Sequence, residues 1–521
     1  MYSNKENINI LTSLLVAHGV THAVVCPGSR NAPIVHNLNE SPDITCYPVT
    51  DERSAGFYAL GMAQSLRRPV AVCVTSGTAL LNLLPAVAEA FYQRIPLIAV
   101  SADRPPQWIG QLDGQTLPQP DALGRFVLKA VTLPEPGNDE ERWQCNRLVN
   151  EALILRHGPV HINVPISEPL FEFTVESLPQ ERRIELHTAD ISPATLSHIT
   201  HMFFAARKPM LVSGQPLNAN LDEAVMMIDG DERYVPDFVL YIGGSIVSKR
   251  LKRFLRQARE TWVVNETGEV ADTFMNLTHV FQGDPEAVED HFRFMMMTEE
   301  HPFIRLWDEL LARIRHHRDL YEPAFSQMAA VRLLEQRVGA SPVQYANSSA
   351  IRLGNIYASI NHLVYCNRGV NGIEGSLSTA AGFSLVADEQ KVYCVIGDLS
   401  FFYDQNALWN RTLREGRGSA SLRILLLNNG CGGIFNTLPG LEKSPAREQF
   451  VAAAHFTTAE GICRQNEVAY FSVNHPSQLQ EGIDLLMRVE SDRPVLLEVF
   501  TTPAEDERAL RDYYHYICSN T

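Results

Sequence analysis

Short apolar runs alternate with helix-length segments along almost the whole chain. The runs HAVVCPG, PVAVCVTSG, PLIAVSAD, PVHINVP, PMLVSG, FVLYIGGS, TWVVNE, KVYCVIGD, RILLLNN and PVLLEVF are rich in β-branched residues. Most of them end in Gly, Ser, Asp or Asn. Apolar side chains at both odd and even positions mark strands buried on both faces. The pattern therefore predicts an α/β protein of open, doubly wound domains, with parallel sheets covered by helices. Three such domains are expected. Residues 1–175 close after VHINVPISEPL, 176–325 open on the polar stretch ESLPQERRIELHTADISP and close after LWDELLARIRHHRDLYE, and 326–521 complete the chain. Ligands of such sheets sit beyond the carboxyl ends of the strands, so chemistry is sought there.

The middle block is short. Only about twenty residues separate PMLVSG from PDFVLYIGGS, little room for a strand–helix–strand crossover. Either an element is missing from this block or a segment is absent.

Length and composition narrow the function. A chain of 521 residues exceeds one hydrophobic core. Its net charge of −16 argues against nonspecific nucleic-acid binding and against an anionic membrane surface. No apolar run reaches the length of a bilayer span, and MYSNKENINILTSLLVAHGV reads as a first helix rather than a signal peptide. The nine cysteines are scattered with no CxxC pair, which predicts buried free thiols and a cytoplasmic protein.

The segment 391–435 carries the densest chemistry. KVYCVIGDLSFFYDQNALWN and LRILLLNNGCGGIF contain two buried strands, the first closed by Asp398 and the second by Asn429, 31 positions later. That interval suits a crossover through the helix YDQNALWNRTLRE, which leaves both side chains at one sheet edge. A carboxylate and an amide oxygen there suit Mg²⁺, a hard cation that shares its shell with phosphate. The glycines of GCGG let backbone N–H groups approach a diphosphate. Taken singly, GD and NNG are also ordinary turn residues.

GDLS followed by NNGCGGIF resembles the thiamine diphosphate signature, in which GD precedes NN by some thirty residues. The resemblance implies that Asp398, the Asn429 side chain and the Cys431 main-chain carbonyl hold Mg²⁺ or Mn²⁺. It also implies that Gly397, Leu399, Ser400, Gly432 and Gly433 line the cofactor diphosphate. In this superfamily a glutamate at a strand end, just before a helix of the first domain, engages N1′ of the cofactor pyrimidine. Glu52 in TDERSAGFYALGMAQ occupies that place. A helix-capping acid is the plainer reading of this junction, and Asp51 fits it better than Glu52 does. Ile373 in NRGVNGIEGSLSTAAG matches the bulky aliphatic residue wedged between the two cofactor rings.

Within the superfamily, VCPGSRNAPI, DERSAGFYALGMA, TSGTA, SADRPP, NRGVNGIEGSLSTAAG and GDLSFFYDQNAL closely resemble one family over nearly the whole chain. It is the 2-succinyl-5-enolpyruvyl-6-hydroxy-3-cyclohexene-1-carboxylate synthase family of menaquinone biosynthesis. The resemblance implies condensation of 2-oxoglutarate with isochorismate, with loss of CO₂ and a 1,4 (Stetter-like) addition. Both substrates are dianions, and arginine grips carboxylates bidentately. Substrate roles carry over onto Ser29, Arg30, Arg104, Gln115, Lys249, Arg250, Ser348, Arg352 and Arg368. Ile434, Phe435 and Leu438 would form an apolar wall beside the reacting carbon. The family also implies a homodimer or homotetramer with active sites between subunits, and no nucleic-acid or membrane partner. Cys431 stands where many relatives carry glycine. The alternative is another thiamine diphosphate-dependent 2-oxoacid decarboxylase or an acetohydroxyacid synthase-like enzyme. The short middle block and the arginines at the strand ends argue against it. Joint retention of Glu52, Asp398 and Asn429 argues against a non-catalytic relative. A nucleotide-binding dehydrogenase is weaker still, since YIGGSIVS lacks the third glycine of its fingerprint.

Overall fold

The computed structural model describes residues 1–186, 191–214, 217, 220–359, 361–387, 390–415, 421–438 and 440–520. Three sheets, parallel throughout, carry the architecture. The first contains β1 (His22–Val25), β2 (Thr45–Pro48), β3 (Val70–Val74), β4 (Leu97–Asp103), β5 (Lys129–Thr132) and β6 (Val160–Pro165), in the order β2-β1-β3-β4-β6-β5. The second contains β7 (Pro209–Gly214), β8 (Phe238–Gly244), β9 (Glu260–Asn265) and β10 (Leu277–Gln282), in the order β10-β9-β8-β7. The third contains β11 (Val343–Tyr345), β12 (Val364–Cys366), β13 (Val392–Gly397), β14 (Leu422–Asn428), β15 (Ala469–Val473) and β16 (Val495–Phe500), in the order β12-β11-β13-β14-β16-β15. The first and third sheets thus share one topology. In both, the chain reverses its direction of travel beside the first strand, which creates a crevice there at the carboxyl ends.

All ten apolar runs form strands, and β3, β4, β6 and β14 are buried at every position. Of the remaining six strands, β2, β5, β10, β12 and β15 lie at sheet edges. An edge strand has one unpaired side and partial exposure, as in β2, where no residue is fully buried. It therefore lacks the continuous apolar signature. The sixth, β11, has only three residues. The short interval between β7 and β8 nevertheless holds a crossover, built from the helix Leu221–Met227 and a tight turn at Glu232–Tyr234.

Small residues join the first and third units. The helix Glu52–Leu66 lies against the helix Ser376–Ser384. A Cβ on Gly61 would stand 2.0 Å from the Thr379 carbonyl oxygen, and one on Gly382 would stand 2.1 Å from that of Tyr58. The two backbones touch, and Phe57, Ala59, Leu377 and Ala381 share one buried apolar cluster.

Candidate active site

The crevice of the third sheet opens between the ends of β11 and β13. Asp398 follows β13, opens the helix Asp398–Tyr403 and is only 4% exposed. Its Oδ1 accepts the Leu399 N–H at 2.7 Å. Its Oδ2 accepts the N–H groups of Asn429 at 3.2 Å and Gly430 at 2.8 Å, and His455 Nε2 lies 3.4 Å away. One carboxylate therefore ties the ends of β13 and β14 together. Burial raises its pKa, and the Leu399 N–H and His455 oppose the rise.

The two asparagines at the end of β14 diverge. Asn428 is buried, and its Nδ2 donates to Glu498 Oε1 of β16 at 2.7 Å and to the Thr457 carbonyl at 3.0 Å. Asn429 Nδ2 donates to Asp506 Oδ2 at 2.9 Å, which leaves its Oδ1 on the other side, 3.4 Å from the Cys431 nitrogen. The Cys431 carbonyl accepts the Gly433 N–H at 2.9 Å and keeps a second lone pair. A Cβ on Gly433 would stand 2.8 Å from Asn429 Nδ2, so glycine is required for the amide to lie where it does. A cavity of about 700 Å³ opens beside these groups, lined among others by Asn429, Cys431, Arg447 and His455.

This donor set fits a hard divalent cation: carboxylate, amide oxygen and main-chain oxygen at adjoining strand ends. Among the described residues, no group of three His, Cys, Asp or Glu could hold a metal ion. A cation beside Asp398 would have Asn429 Oδ1 and the Cys431 carbonyl as its other protein donors. Around Gly397 there is open space where a side chain would otherwise lie.

Ile373 is placed by a loop that three groups hold. Ser400 Oγ donates to the Ile373 carbonyl. Asn347 Nδ2 donates to the carbonyls of Asn367 at 2.6 Å and Gly372 at 2.7 Å. Glu89, on the helix Leu84–Gln93 of the first unit, accepts the N–H groups of Gly369 at 2.6 Å and Val370 at 2.8 Å. Burial raises the pKa of Glu89, and these hydrogen bonds oppose it. The Ile373 side chain itself is 39% exposed.

In the first sheet the two acids at the head of the helix Glu52–Leu66 divide their roles. Asp51 caps it, accepting the N–H groups of Arg53 at 2.9 Å and Ser54 at 3.2 Å. Glu52 is half-buried and receives the Asn82 amide at 3.2 Å. Arg30 is buried beneath the same strand ends, donating to the Ile166 carbonyl at 2.9 Å and to Glu168 at 3.1 Å. Arg104 faces Asp113 at 3.4 Å and Glu168 at 4.0 Å. Burial lowers the pKa of Arg30, and the charge of Arg104 adds to that. Gln115 takes a positive φ of 56° and lies against Gly77, while Ser29 is exposed beside Arg30. Ser29, Arg30, Arg104 and Gln115 thus gather at one sheet end.

A second group of cations forms where the middle and third units meet. Lys249 and Arg250 open the helix Lys249–Leu255, which Ser248 caps. Arg250 is engaged by Asp222 at 2.7 Å and lies over the Tyr514 ring, whereas Lys249 is exposed. Burial lowers the pKa of Lys252, and the charges of Arg368 and Lys249 lower it further. Arg368 is lowered by burial as well, opposed by Cys366 and reinforced by Arg352. Among the described residues, Lys249, Lys252, Arg352 and Arg368 form no ion pair. Ser348, at the head of the helix that bears Arg352, has φ 73° and ψ −127°. A side-chain-bearing residue holds such a conformation at a cost of about 1–3 kcal/mol, typically where function demands it. Ile434 and Phe435 lie in the turn Gly433–Thr437, half-buried, and Leu438 follows it, 43% exposed.

The chain does not bring every candidate to one point. Glu52 is held by Asn82 at the end of the first sheet, and Asp398 by residues 399, 429, 430 and 455 at the end of the third. Sequence reasoning overlooks Glu89, Lys252, His455 and Asp506. A lone acid in the apolar stretch LPAVAEAFY is a usable signal for Glu89. Asp506 is masked by its position in a helix first turn, where acids are ordinary.

A family model for the thiamine pyrophosphate enzyme N-terminal TPP binding domain matches residues 8–123. The 2-succinyl-5-enolpyruvyl-6-hydroxy-3-cyclohexene-1-carboxylate synthase of Bacteroides fragilis is 44% identical over an alignment of 564 positions, gaps included, covering 99% of this chain and 100% of the relative. The synthase of Bacteroides thetaiotaomicron is 43% identical over 565, with the same coverage. That of Flavobacterium johnsoniae is 34% identical over 548, covering 96% of each. The Rhodococcus jostii RHA1 thiamine diphosphate-dependent 4-hydroxybenzoylformate decarboxylase superposes with a TM-score of 0.71 over 95% of this chain and 99% of its own. At 16% identity that is a likeness of fold alone. The family model and the full-length relatives, on this fold, define a thiamine diphosphate-dependent enzyme. More narrowly, the chain belongs to the 2-succinyl-5-enolpyruvyl-6-hydroxy-3-cyclohexene-1-carboxylate synthase family.

Proposed function

We propose that the protein condenses 2-oxoglutarate with isochorismate, releasing CO₂ and forming 2-succinyl-5-enolpyruvyl-6-hydroxy-3-cyclohexene-1-carboxylate for menaquinone synthesis. One observation carries the assignment, 44% identity over 99% of the chain to a synthase of that name, and among the described residues the buried Nε atoms of Arg104 and Arg368, which have no hydrogen-bond partner, are in keeping with it. A buried, unpaired guanidinium donor is expensive unless a ligand satisfies it. Two such donors, among further cations, suit substrates that each bear two carboxylates.

When bound, thiamine diphosphate supplies a nucleophilic carbon that also stabilises the electron pair left by CO₂. Asp398, Asn429 and the Cys431 carbonyl hold its Mg²⁺ or Mn²⁺, and Gly397, Leu399, Ser400, Gly432 and Gly433 line its diphosphate. Glu52 would hold a proton at the pyrimidine nitrogen, and Ile373 would be the aliphatic side chain packed against the cofactor. Arg30, Arg104, Arg352, Arg368 and Lys249 bind and orient the substrate carboxylates, with Ser29, Gln115 and Ser348 adding polar contacts. Arg250 belongs to this group only if it leaves Asp222. Ile434, Phe435 and Leu438 exclude water from the reacting carbon. In this reading the site lies between two copies of the chain, Glu52 from one and Asp398 from the other, so the enzyme is a dimer or tetramer. Functional divisions at 1–175, 176–325 and 326–521 follow the three sheets. Nine free cysteines, eight of them at least partly buried, support a reducing cytoplasm. Among the described residues, no helix is long and apolar enough to cross a membrane.

The test is CO₂ release with isochorismate present, from 2-oxoglutarate and from pyruvate in parallel. Turnover with 2-oxoglutarate and little with pyruvate is expected. A preference for pyruvate contradicts the assignment and favours the decarboxylase or acetohydroxyacid synthase-like alternative.

A further inference from the structure

An asparagine can serve a cation only through its oxygen, and a half-turn of its amide would present NH₂ instead. Something must fix the orientation of Asn429. Its Nδ2 lies 2.9 Å from Asp506 Oδ2, on the helix Pro503–Asn520, 77 positions further along the chain. The same Oδ2 accepts the Thr501 hydroxyl at 2.9 Å, and Asp506 Oδ1 accepts the Gln327 N–H at 2.8 Å. The carboxylate is thus oriented from both sides. With the Gln327 N–H on Oδ1 and the Thr501 hydroxyl on Oδ2, the carboxylate turns an accepting oxygen to Asn429 and so takes its NH₂ edge. The amide oxygen is thereby turned the other way.

We propose that Asp506 is a positioning residue that sets the amide of Asn429 so that Oδ1 faces the divalent cation bound with the cofactor diphosphate. The inference rests on the metal-binding reading of Asp398 and Asn429 given above. It goes beyond that reading in assigning the selection of one amide orientation to a residue that touches neither cation nor cofactor. Partners of this kind orient metal ligands, and their loss typically weakens metal binding by about 10–100-fold.

The substitution Asp506→Asn makes the prediction atom by atom. The Gln327 N–H keeps the new amide oxygen at the Oδ1 position, so NH₂ takes the place of Oδ2. It then faces the Asn429 NH₂, donor against donor. Asn429 turns over, accepts from residue 506 and presents NH₂ to the cation site. An aspartate at 429 has oxygens on both edges, so adding Asn429→Asp to Asp506→Asn restores an oxygen to the cation.

Mn²⁺ binding is measured by electron paramagnetic resonance on the full-length protein with thiamine diphosphate present, alongside thermal melting. Asp506→Asn is expected to weaken Mn²⁺ binding by about 10–100-fold. Thr501→Val, which removes the other donor to Oδ2 without touching the amide, is expected to stay within about threefold of the parent. The exchanged pair is expected to recover to within about tenfold. Unchanged Mn²⁺ affinity in Asp506→Asn overturns the proposal, and so does equal weakening in Thr501→Val. If Asp506→Asn does not fold, the exchanged pair decides alone, and failure of that pair to bind Mn²⁺ overturns the proposal. A parent protein that binds neither Mn²⁺ nor thiamine diphosphate overturns the underlying metal reading instead.

Discussion

Asp51 accepts the N–H groups of Arg53 and Ser54, so the helix Glu52–Leu66 is capped without help from Glu52. Among the described residues, the carboxyl of Glu52 is left with a single weak partner, Asn82. Glu52→Gln keeps the shape and the hydrogen bond but cannot exchange a proton. Its kcat is expected to fall by about 10²–10⁴-fold, while calorimetric affinity for thiamine diphosphate stays within about threefold. Retained turnover means that another group activates the cofactor. Sequence singles out Asp398, Asn429 and Glu52 because acids and amides at the ends of apolar strands are chemically conspicuous, and the structure places all three at strand ends. Asp506, Glu89 and His455 are not singled out, because their roles come from chain segments far apart. Glu89 meets Gly369 across 280 positions. Sequence also cannot tell Asn428 from Asn429. Only the alternation of side chains at the strand end sends one to Glu498 and the other to Asp506.

At the scale of elements, the contact between the helices Glu52–Leu66 and Ser376–Ser384 depends on two glycines. On an exposed helix, Gly→Ala stabilises by about 1 kcal/mol. At Gly61 the added methyl meets a main-chain oxygen at 2.0 Å, and the backbone cannot move aside as a flexible side chain would. Gly61→Ala is therefore expected to destabilise by about 3 kcal/mol or more in urea denaturation. A gain in stability would show that the two helices do not touch. Glu89→Gln tests the loop that carries Arg368 and Ile373. It sets an NH₂ against one of two N–H donors, so a loss of about 1–3 kcal/mol and a raised KM are expected from denaturation and steady-state kinetics. A KM equal to that of the parent would detach this clamp from the site. The central strands were legible because burial on both faces leaves an unbroken apolar run. The edge strands were not, since half-exposure dilutes that signal. The shared topology of the first and third sheets was equally hidden, because it resides in strand order rather than in residue identity.

Across the whole molecule, the middle unit is fastened to the third through a buried acid. Glu223 lies on the helix Leu221–Met227, and its Oε1 accepts the Tyr513 hydroxyl at 3.0 Å and the Asn220 amide at 3.3 Å. Among the described residues its Oε2 has no hydrogen-bond partner, and Asp222, Tyr357 and Tyr514 lie near it. Burial pushes its pKa up to about 7, and Asp222 adds to the rise. An acid whose pKa is higher folded than unfolded favours the folded state most at low pH. Its contribution is full below the unfolded value of 4.5 and is lost as pH rises through about 7, about 3 kcal/mol in all. Relative to the parent, Glu223→Gln is expected to flatten the fall in stability between those values, as read from urea midpoints against pH. Parallel curves would show that Glu223 is ionised in the folded protein.

The central claim is that Glu52 of one copy serves the Asp398–Asn429 cradle of another. It is tested most directly by unfolding inactive Glu52→Gln and inactive Asp398→Ala chains together and refolding them as a mixture. A mixed pair holds one site with both native groups and one with neither. Turnover of 2-oxoglutarate and isochorismate should then return to about a quarter of the wild-type value at equal mixing, as a symmetric dimer demands. Activity no greater than that of the two variants refolded apart would contradict the shared site.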